Sequence, residues 1–212
     1  MPQLRVHNFC ISLDGFGAGP DQSLDHPLGT GGERLHEWVF KTATGLAMVG
    51  GKGGTTGIDD EFLALGEQRV GATIMGRNMF GPVRGPWSSD PQWQGWWGPN
   101  PPYHHPVFVL CHEPRESIRM EGGTTFHFVT DGIERALERA HDAAGDLDVR
   151  LGGGVSTIRQ YLRAGLVDTL HLSIIPILLG RGERLLDDGL TGYRTTRFVA
   201  SDEAMHVTMT RV

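Results

Sequence analysis

The sequence predicts a three-layer α/β fold, in which a mainly parallel, twisted sheet has helices on both faces and ends in an antiparallel hairpin. Three observations support this fold class. Short apolar runs typical of buried strands alternate with stretches whose apolar residues recur at helical spacing, a pattern that favours a covered parallel sheet. Glycine-rich turns follow several of the apolar runs. The tail at 197–212 has two strand-like runs with a turn near Asp202, which predicts the hairpin.

The chain has 212 residues, 39% of them hydrophobic, and a formal net charge of −6. This length predicts a single domain over residues 1–212. A mildly acidic protein has no electrostatic footprint for DNA or RNA. No apolar run approaches the ~18 residues of a membrane span, and the N-terminus lacks the pattern of a signal peptide. We therefore expect a soluble, cytoplasmic protein that binds neither nucleic acid nor membranes, with Cys10 and Cys111 as reduced thiols in strands.

The first part of the chain alternates strand-like and helix-like segments. Leu35, Trp38 and Val39 recur at helical spacing and predict a short amphipathic helix. Six glycines between Gly45 and Gly57 predict a flexible loop, or alternatively a mobile flap. The predicted elements, in order, are a buried strand at 4–12, a glycine-rich turn at 13–20, a helix at 31–42, the loop at 45–57, a helix at 59–69 and a strand at 72–75.

The segment from Gly81 to Pro106 contains seven of the twelve prolines and four of the five tryptophans. No strand or helix pattern is visible there, and so long an excursion within a domain is usually functional or an interface. The four tryptophans, Trp87, Trp93, Trp96 and Trp97, could line a substrate pocket or contact a second subunit. The sequence favours neither alternative.

The second half continues the alternation. Its predicted elements are strands at 107–111 and 124–130, a helix at 133–144, a very short strand at 149–151, a helix at 155–164, a long strand at 170–179 and the closing hairpin.

The clearest candidate for ligand binding is the run Gly152-Gly153-Gly154-Val155-Ser156-Thr157, which joins a predicted strand to a predicted helix. Three glycines allow a pyrophosphate to approach the backbone, and the helix N-terminus offers free N–H groups and a favourable dipole. Ser156 and Thr157 add hydroxyl donors. The alternative is a tight turn without a ligand, and the run is neither a P-loop nor a GxGxxG motif.

A second phosphate-like site follows the strand at 72–75. There Gly76 ends a strand and Arg77 opens the next element, and arginine is suited to bidentate phosphate contact. A 2′-phosphate at Arg77 would select NADPH over NADH, and His112, just past the next strand, could face it. The alternatives are a surface arginine and a polar loop histidine. Two such sites on neighbouring strand ends predict an extended dinucleotide.

Other chemistry has little support in the sequence. The adjacent His104 and His105 lie between prolines and lack metal-ligand spacing, so no metal is expected. Ser12 and Ser156 lack the GxSxG turn of a nucleophile elbow.

Four motifs occur together and in order: Ile11-Ser12-Leu13-Asp14-Gly15, Ile74-Met75-Gly76-Arg77-Asn78-Met79-Phe80, Gly152-Gly153-Gly154, and the run from Leu172 to Gly182. In order and spacing they resemble the dihydrofolate-reductase-like family, most closely the branch that contains the reductase domain of bacterial riboflavin biosynthesis. The resemblance covers nearly the whole chain. It implies an NADPH-dependent reductase, usually a homodimer.

The resemblance also implies roles for individual residues. Gly76 and Arg77 would hold the 2′-phosphate side with His112 beside them, and Gly152 to Thr157 would hold the pyrophosphate. Cys10, Gly17 and Ala18 would approach the nicotinamide through backbone groups. Ser12 and Asp14 would shape the loop next to the substrate, and Trp38 is a further candidate for substrate binding.

In true dihydrofolate reductases a carboxylate on the first helix supplies a proton, and here that segment holds Glu33 and Glu37. Either is a candidate catalytic residue; the alternative is a solvated helix face. Arg84 and Arg181 are candidates for a second phosphate site. The expected function is NADPH-dependent reduction of a small heterocyclic or carbonyl substrate. Two alternatives are 5-amino-6-(5-phosphoribosylamino)uracil reductase of riboflavin biosynthesis and an NADPH-binding protein without turnover.

Overall fold

The computed structural model describes residues 1–81, 86–89, 92–186 and 189–212. They form two compact units: unit 1 comprises Met1–Arg5 and Arg69–Leu166, and unit 2 comprises Val6–Gln68 and Val167–Val212. The prediction of a single domain over 1–212 stays a prediction.

The structure contains eleven strands and five α-helices within the described residues. The strands are β1 (Leu4–Ser12), β2 (Phe16–Ala18), β3 (Val70–Gly76), β4 (Pro106–Leu110), β5 (Ile118–Arg119), β6 (Thr125–Val129), β7 (Asp148–Gly153), β8 (Thr169–Ile175), β9 (Glu183–Arg184), β10 (Tyr193–Ala200) and β11 (Met205–Arg211). The α-helices are α1 (Ala43–Met48), α2 (Ile58–Glu67), α3 (Arg77–Phe80), α4 (Ile133–Ala144) and α5 (Val155–Arg163).

Unit 1 is built on a parallel sheet in the order β1-β7-β3-β4-β6, with β5 added antiparallel at the edge. The middle of β3 is buried without interruption from Ala72 to Met75, as expected for a parallel strand covered on both faces. Helix α4 packs against β3, β4 and β7, and its buried face consists of alanines at helical spacing. Helix α5 packs against β7 and β3.

Unit 2 contains the antiparallel strands β8, β11 and β10 and a small antiparallel pair of β2 with β9. Its core combines side chains from β1, from the segment 32–41, from α2 and from the C-terminal strands: Cys10, Leu35, Trp38, Leu63, Ile175 and Ala204. The mostly parallel sheet with C-terminal antiparallel strands confirms the predicted fold class.

Several predicted boundaries are wrong, and local interactions explain them. The segment at 31–42 forms two 3₁₀ helices, Gly32–His36 and Val39–Lys41, although Leu35 and Trp38 are buried as expected. Part of the predicted loop at 45–57 is α1, whose first turn is capped because Thr42 Oγ1 accepts a hydrogen bond from Gly45 N.

The strands β7 and β8 also differ from their predicted lengths. The predicted strand 149–151 extends over Asp148–Gly153, since it pairs with a neighbour on each side. The predicted strand 170–179 ends at Ile175, before Pro176, which has no N–H to donate to a sheet. The hairpin of β10 and β11 and the helix at 133–144 are confirmed.

A chain of buried polar side chains runs through unit 2. Asn8 N–H donates to His171 Nδ1, so the proton of this imidazole lies on Nε2, which contacts His206 Nδ1 at 3.2 Å. His206 Nε2 then donates to Asp59 Oδ1 at 2.7 Å. The Phe62 ring stacks on both imidazoles. Burial lowers the pKa of His171 to about 2, so this ring is neutral in the folded protein at neutral pH. Burial also lowers the pKa of His206, while the hydrogen bond to Asp59 acts in the opposite direction.

The buried, neutral His171 predicts that acid destabilises the fold. Below about pH 6.5, His171 becomes protonated in the unfolded chain but not in the folded protein. The free energy of unfolding is therefore highest above that pH and decreases as the pH falls below it. We expect a loss of roughly 1–2 kcal/mol from pH 7 to pH 5 from His171, measured by urea unfolding. His171→Asn should make the dependence on pH shallower; an unchanged slope in this variant would contradict the assignment.

The Phe62 side chain should carry much of the stability of unit 2. Phe62 is 1% exposed, so Phe62→Ala leaves a cavity beneath both imidazoles and should cost about 3–5 kcal/mol in urea unfolding. The matched control is Phe198→Ala on β10, where the ring is 63% exposed and the loss should stay below about 0.5 kcal/mol. Similar losses in both variants would show that stacking of Phe62 on the two imidazoles adds nothing to the free energy of unfolding.

Candidate functional site

The residues predicted to bind a cofactor or substrate lie in both units. Unit 1 contains Gly76, Arg77, His112 and Gly152 to Thr157; unit 2 contains Cys10, Ser12, Asp14, Gly17, Ala18, Glu33, Glu37 and Trp38. Each group is described within its own unit.

The turn between β7 and α5 is open at the helix N-terminus. Gly154 is the N-cap residue and no side chain caps the helix. The first intrahelical bond of α5 runs from Ile158 N to Gly154 O, so the amides of Val155, Ser156 and Thr157 precede it. A Cβ on Gly154 would meet nothing within 4 Å, and Ser156 is exposed. The peptide bond between Gly153 and Gly154 is cis. This turn has the donors and the space that a phosphate needs.

Gly76 and the start of α5 lie against each other. A Cβ on Gly76 would lie 2.3 Å from Thr157 Oγ1 and 3.7 Å from Gly153 O, so a larger residue would collide with the threonine. Gly76 and Thr157 are both buried. The structure therefore brings together two of the predicted phosphate-binding segments, the end of β3 and the start of α5.

Arg77 follows Gly76 and is half-buried. Its guanidinium lies over the Trp87 ring, 3.6 Å from the ring centroid. On another side, a Cβ on Gly81 would lie 3.2 Å from Arg77 Nη1. The sequence offered no reason to pair Arg77 with one particular tryptophan, because the contact depends on how the chain returns after Gly81.

The predicted His112 is exposed and follows Cys111, at the end of β4. The thiol of Cys111 donates to Glu113 O. Burial raises the pKa of this thiol, while the positive charge of Arg77 acts in the opposite direction. The field of Arg77 thus extends to the residue beside His112.

The tryptophan-rich segment packs partly on its own unit. Trp87 and Trp93 contact the core that contains Phe80. Their indole N–H groups donate to Glu113 O at 2.9 Å and to Phe80 O at 2.8 Å, respectively. Neither alternative expected from the sequence, a pocket wall or a subunit interface, is needed to explain these two rings. Trp97 is 47% exposed. Arg84 and the remainder of this segment at 82–85 and 90–91 lie outside the described residues.

In unit 2, the Asp14 carboxylate connects two loops by hydrogen bonds. Its carboxylate accepts hydrogen bonds from Ser12 Oγ at 2.5 Å, Leu179 N at 3.1 Å and Gly180 N at 2.7 Å. Burial alone would raise the pKa of Asp14, but these hydrogen bonds outweigh it and lower the pKa to about 2. Ser12 is fully buried, and its Oγ also accepts from Phe16 N. Both side chains therefore make hydrogen bonds that hold this loop, and their predicted place next to a substrate stays a prediction.

Gly17 and Ala18 are buried in β2, which pairs with β9. A Cβ on Gly182 would lie 2.1 Å from Ala18 O, and Gly182 has a φ of +136°, so only glycine fits there. Arg184 on β9 donates to Asp14 O at 2.8 Å and lies over the Phe16 ring.

Cys10 and Trp38 are core residues. Each is 2% exposed, and Trp38 Nε1 donates to Cys10 Sγ at 3.4 Å. Burial raises the pKa of the Cys10 thiol to about 12, so it stays protonated. Trp38 contacts His206 edge-on rather than presenting its ring to solvent. Its predicted substrate role therefore receives no support from its surroundings and stays a prediction.

The two predicted proton donors are exposed. Glu33 lies 3.6 Å from His26 Nδ1 on the surface, and Glu37 is also exposed. His36, on the same segment, is half-buried as a residue, and burial of its ring lowers its pKa to about 4. The alternative of a solvated helix face fits these positions better than a shielded donor.

Within the described residues, no group of three or more histidine, cysteine or acidic side chains could hold a metal ion. In the same residues, no helix has the length and apolarity required to cross a membrane.

Residues 5–207 match the protein family described as the RibD C-terminal domain. A Shewanella sp. PV-4 protein, provisionally named as a riboflavin biosynthesis protein, is 24% identical, with a TM-score of 0.64 and 99% of each chain covered. A pyrimidine reductase-like protein of Corynebacterium diphtheriae is 16% identical, with a TM-score of 0.55 over 100% of this chain and 92% of the other. Dihydrofolate reductase of Enterococcus faecalis, solved with NADP(H), is 15% identical, with a TM-score of 0.46 over 74% of this chain and 83% of the other. No curated protein sequence matches the chain. The predicted family resemblance is confirmed.

The contact between Gly76 and Thr157 can be tested by a rescue experiment. Gly76→Ala should lower the free energy of unfolding by about 1–2 kcal/mol, because the new methyl group collides with Thr157 Oγ1. Adding Thr157→Ala removes that oxygen and should recover most of the loss. Gly154→Ala is the matched control, since its Cβ enters open space. Equal losses with and without Thr157→Ala would disprove the contact.

Proposed function

This chain belongs to the RibD C-terminal domain family, and we propose that it is an NADPH-dependent reductase of a small heterocyclic or carbonyl compound. The observation that carries the proposal is the open N-terminus of α5, which has no side-chain cap and lies against the end of β3. An arginine follows directly at that strand end. Phosphate donors and a cation on neighbouring strand ends suit a dinucleotide with an additional phosphate.

The residues present fit the phosphates of NADPH. The amides at the start of α5 and the exposed Ser156 hydroxyl would hold the pyrophosphate, since a Cβ on Gly154 would meet only open space. Arg77 would hold the 2′-phosphate, with His112 beside it. From the resemblance we propose that Cys10, Gly17 and Ala18 hold the nicotinamide through backbone groups. NADPH supplies a hydride when it is bound.

The chain's own part in the reaction is to bind, orient and exclude water. Asp14 fixes the loop at Leu179 and Gly180 against the loop that begins at Ser12. Because its pKa is about 2, this carboxylate is ionised at neutral pH and has no proton to donate. Glu33 and Glu37 stay the proposed proton donors, although both side chains are exposed, and substitution tests them.

A second candidate is the uracil reductase of riboflavin biosynthesis. The family match and the names of the two structural neighbours favour it. Its substrate carries a phosphoribosyl group. Of the two arginines proposed to bind that phosphate, Arg181 lies within the described residues and is exposed. The third function, an NADPH-binding protein without turnover, shares the cofactor site and predicts binding alone. A homodimer likewise stays a prediction.

Equilibrium binding of NADPH and NADH, followed by quenching of tryptophan fluorescence, tests the cofactor assignment. We expect Arg77→Ala to weaken NADPH binding about 10- to 100-fold and to leave NADH binding unchanged, because a charged hydrogen bond is worth about 1.5–3 kcal/mol. Arg139→Ala is the matched control. Arg139 also lies over an aromatic ring, that of Phe108, but it belongs to α4 and not to the proposed phosphate site. Gly154→Leu should weaken both nucleotides equally by filling the open turn.

Failure of the unmodified protein to bind either nucleotide would refute the reductase proposal, and an unchanged preference in Arg77→Ala would refute the 2′-phosphate site. Turnover with the uracil compound would then separate the second candidate from the first. If Glu33→Gln and Glu37→Gln both retain full turnover, neither residue is the proton donor.

A further inference from the structure

The Arg77 guanidinium has a defined place before any ligand is considered. Its central carbon lies 3.6 Å from the Trp87 ring centroid, well inside the ~6 Å range of a cation–π contact. A guanidinium is planar and carries its five N–H donors in that plane, so a ring packed against it limits the directions in which the donors point. Trp87 therefore restricts the orientation of the Arg77 guanidinium.

Trp87 is itself fixed by neighbours. Its indole N–H donates to Glu113 O, which lies one residue after His112. The Phe128 ring meets it edge-on at 5.0 Å, and the Phe80 ring does so at 6.0 Å. The ring thus connects the start of α3, where Arg77 lies, to the segment after β4.

A second cation lies on the same aromatic cluster. The Arg115 guanidinium is 4.8 Å from the Trp87 centroid and 5.3 Å from that of Phe128. It also donates to Trp93 O at 2.7 Å, which holds the tryptophan-rich segment in place. Arg115 thus packs against the same indole ring that restricts Arg77.

We propose that Trp87 is a positioning residue that sets the preference for NADPH over NADH by holding the Arg77 guanidinium, and that Arg115 supports it. The inference rests on the proposed function, because it assumes that Arg77 meets the 2′-phosphate. It assigns to the tryptophan a role in specificity that a merely apolar cover would not have. A cover would contribute to folding and to both nucleotides alike.

The test measures dissociation constants of NADPH and NADH, and of 2′-AMP and 5′-AMP, by isothermal titration calorimetry, which does not depend on tryptophan emission. Trp87→Leu should reduce the NADPH-to-NADH selectivity about 3- to 30-fold, the range of a cation–π contact. Trp87→Phe keeps an aromatic face and should retain most of the selectivity. Trp97→Leu, which removes an exposed tryptophan from the same segment, should have no effect.

A double-mutant cycle makes the mechanism specific. If Trp87 acts through Arg77, the variant Arg77→Ala/Trp87→Leu should be no less selective than Arg77→Ala alone. Should Trp87→Leu fail to fold, as judged by thermal unfolding, Arg115→Gln replaces it and should also lower the selectivity.

The outcomes distinguish the positioning role of Trp87 from the 2′-phosphate site proposed at Arg77. Equal weakening of NADPH and NADH in Trp87→Leu, or additive effects in the double variant, would overturn the inference while the phosphate site at Arg77 stands. An unchanged selectivity in Arg77→Ala would overturn the phosphate site, and the inference with it.

Discussion

The missing side chain of Gly76 is the constraint on which the candidate phosphate site of unit 1 depends. Any Cβ at this position would meet Thr157 Oγ1 at 2.3 Å, so α5 can begin beside the end of β3 only because that strand ends in glycine. The register of β3 with β7 then places the two strand ends side by side. This close approach therefore holds the uncapped start of α5 beside the strand end that Arg77 follows.

Unit 2 uses its polar groups differently. The carboxylate of Asp14 is occupied by hydrogen bonds within the chain, and those bonds keep it ionised. Cys10 and Trp38 satisfy each other in the core. The imidazoles of His171 and His206 form one hydrogen-bonded chain that ends on Asp59. The polar atoms of these residues already have hydrogen-bond partners within the chain, so the residues hold loops and strands in place.

Aromatic side chains account for much of the organisation after α3. Trp87 and Trp93 pack against the apolar core of unit 1, which contains Phe80, and the guanidiniums of Arg77 and Arg115 lie over the Trp87 ring. The same contacts therefore cover the Trp87 ring and position the two arginine side chains. A change in this segment therefore affects both stability and charge arrangement, and only measurements that compare ligands of different charge separate the two.

The sequence by itself determined the α/β class, the order of the long elements, the C-terminal hairpin and the glycine turn before α5, because these depend on local periodicity and on backbone freedom at glycine. It also pointed to Gly76 and Arg77 as a strand end with a cation. It could not show that Thr42 starts a helix within a glycine-rich stretch, or that Pro176 cuts β8 short of its apolar run. The stacking of Arg77 on Trp87, the burial of Trp38 and the exposure of Glu33 and Glu37 were decided by tertiary structure alone. Such contacts join residues that are separated along the chain, and a side chain's burial depends on which element packs over it, which no local pattern encodes.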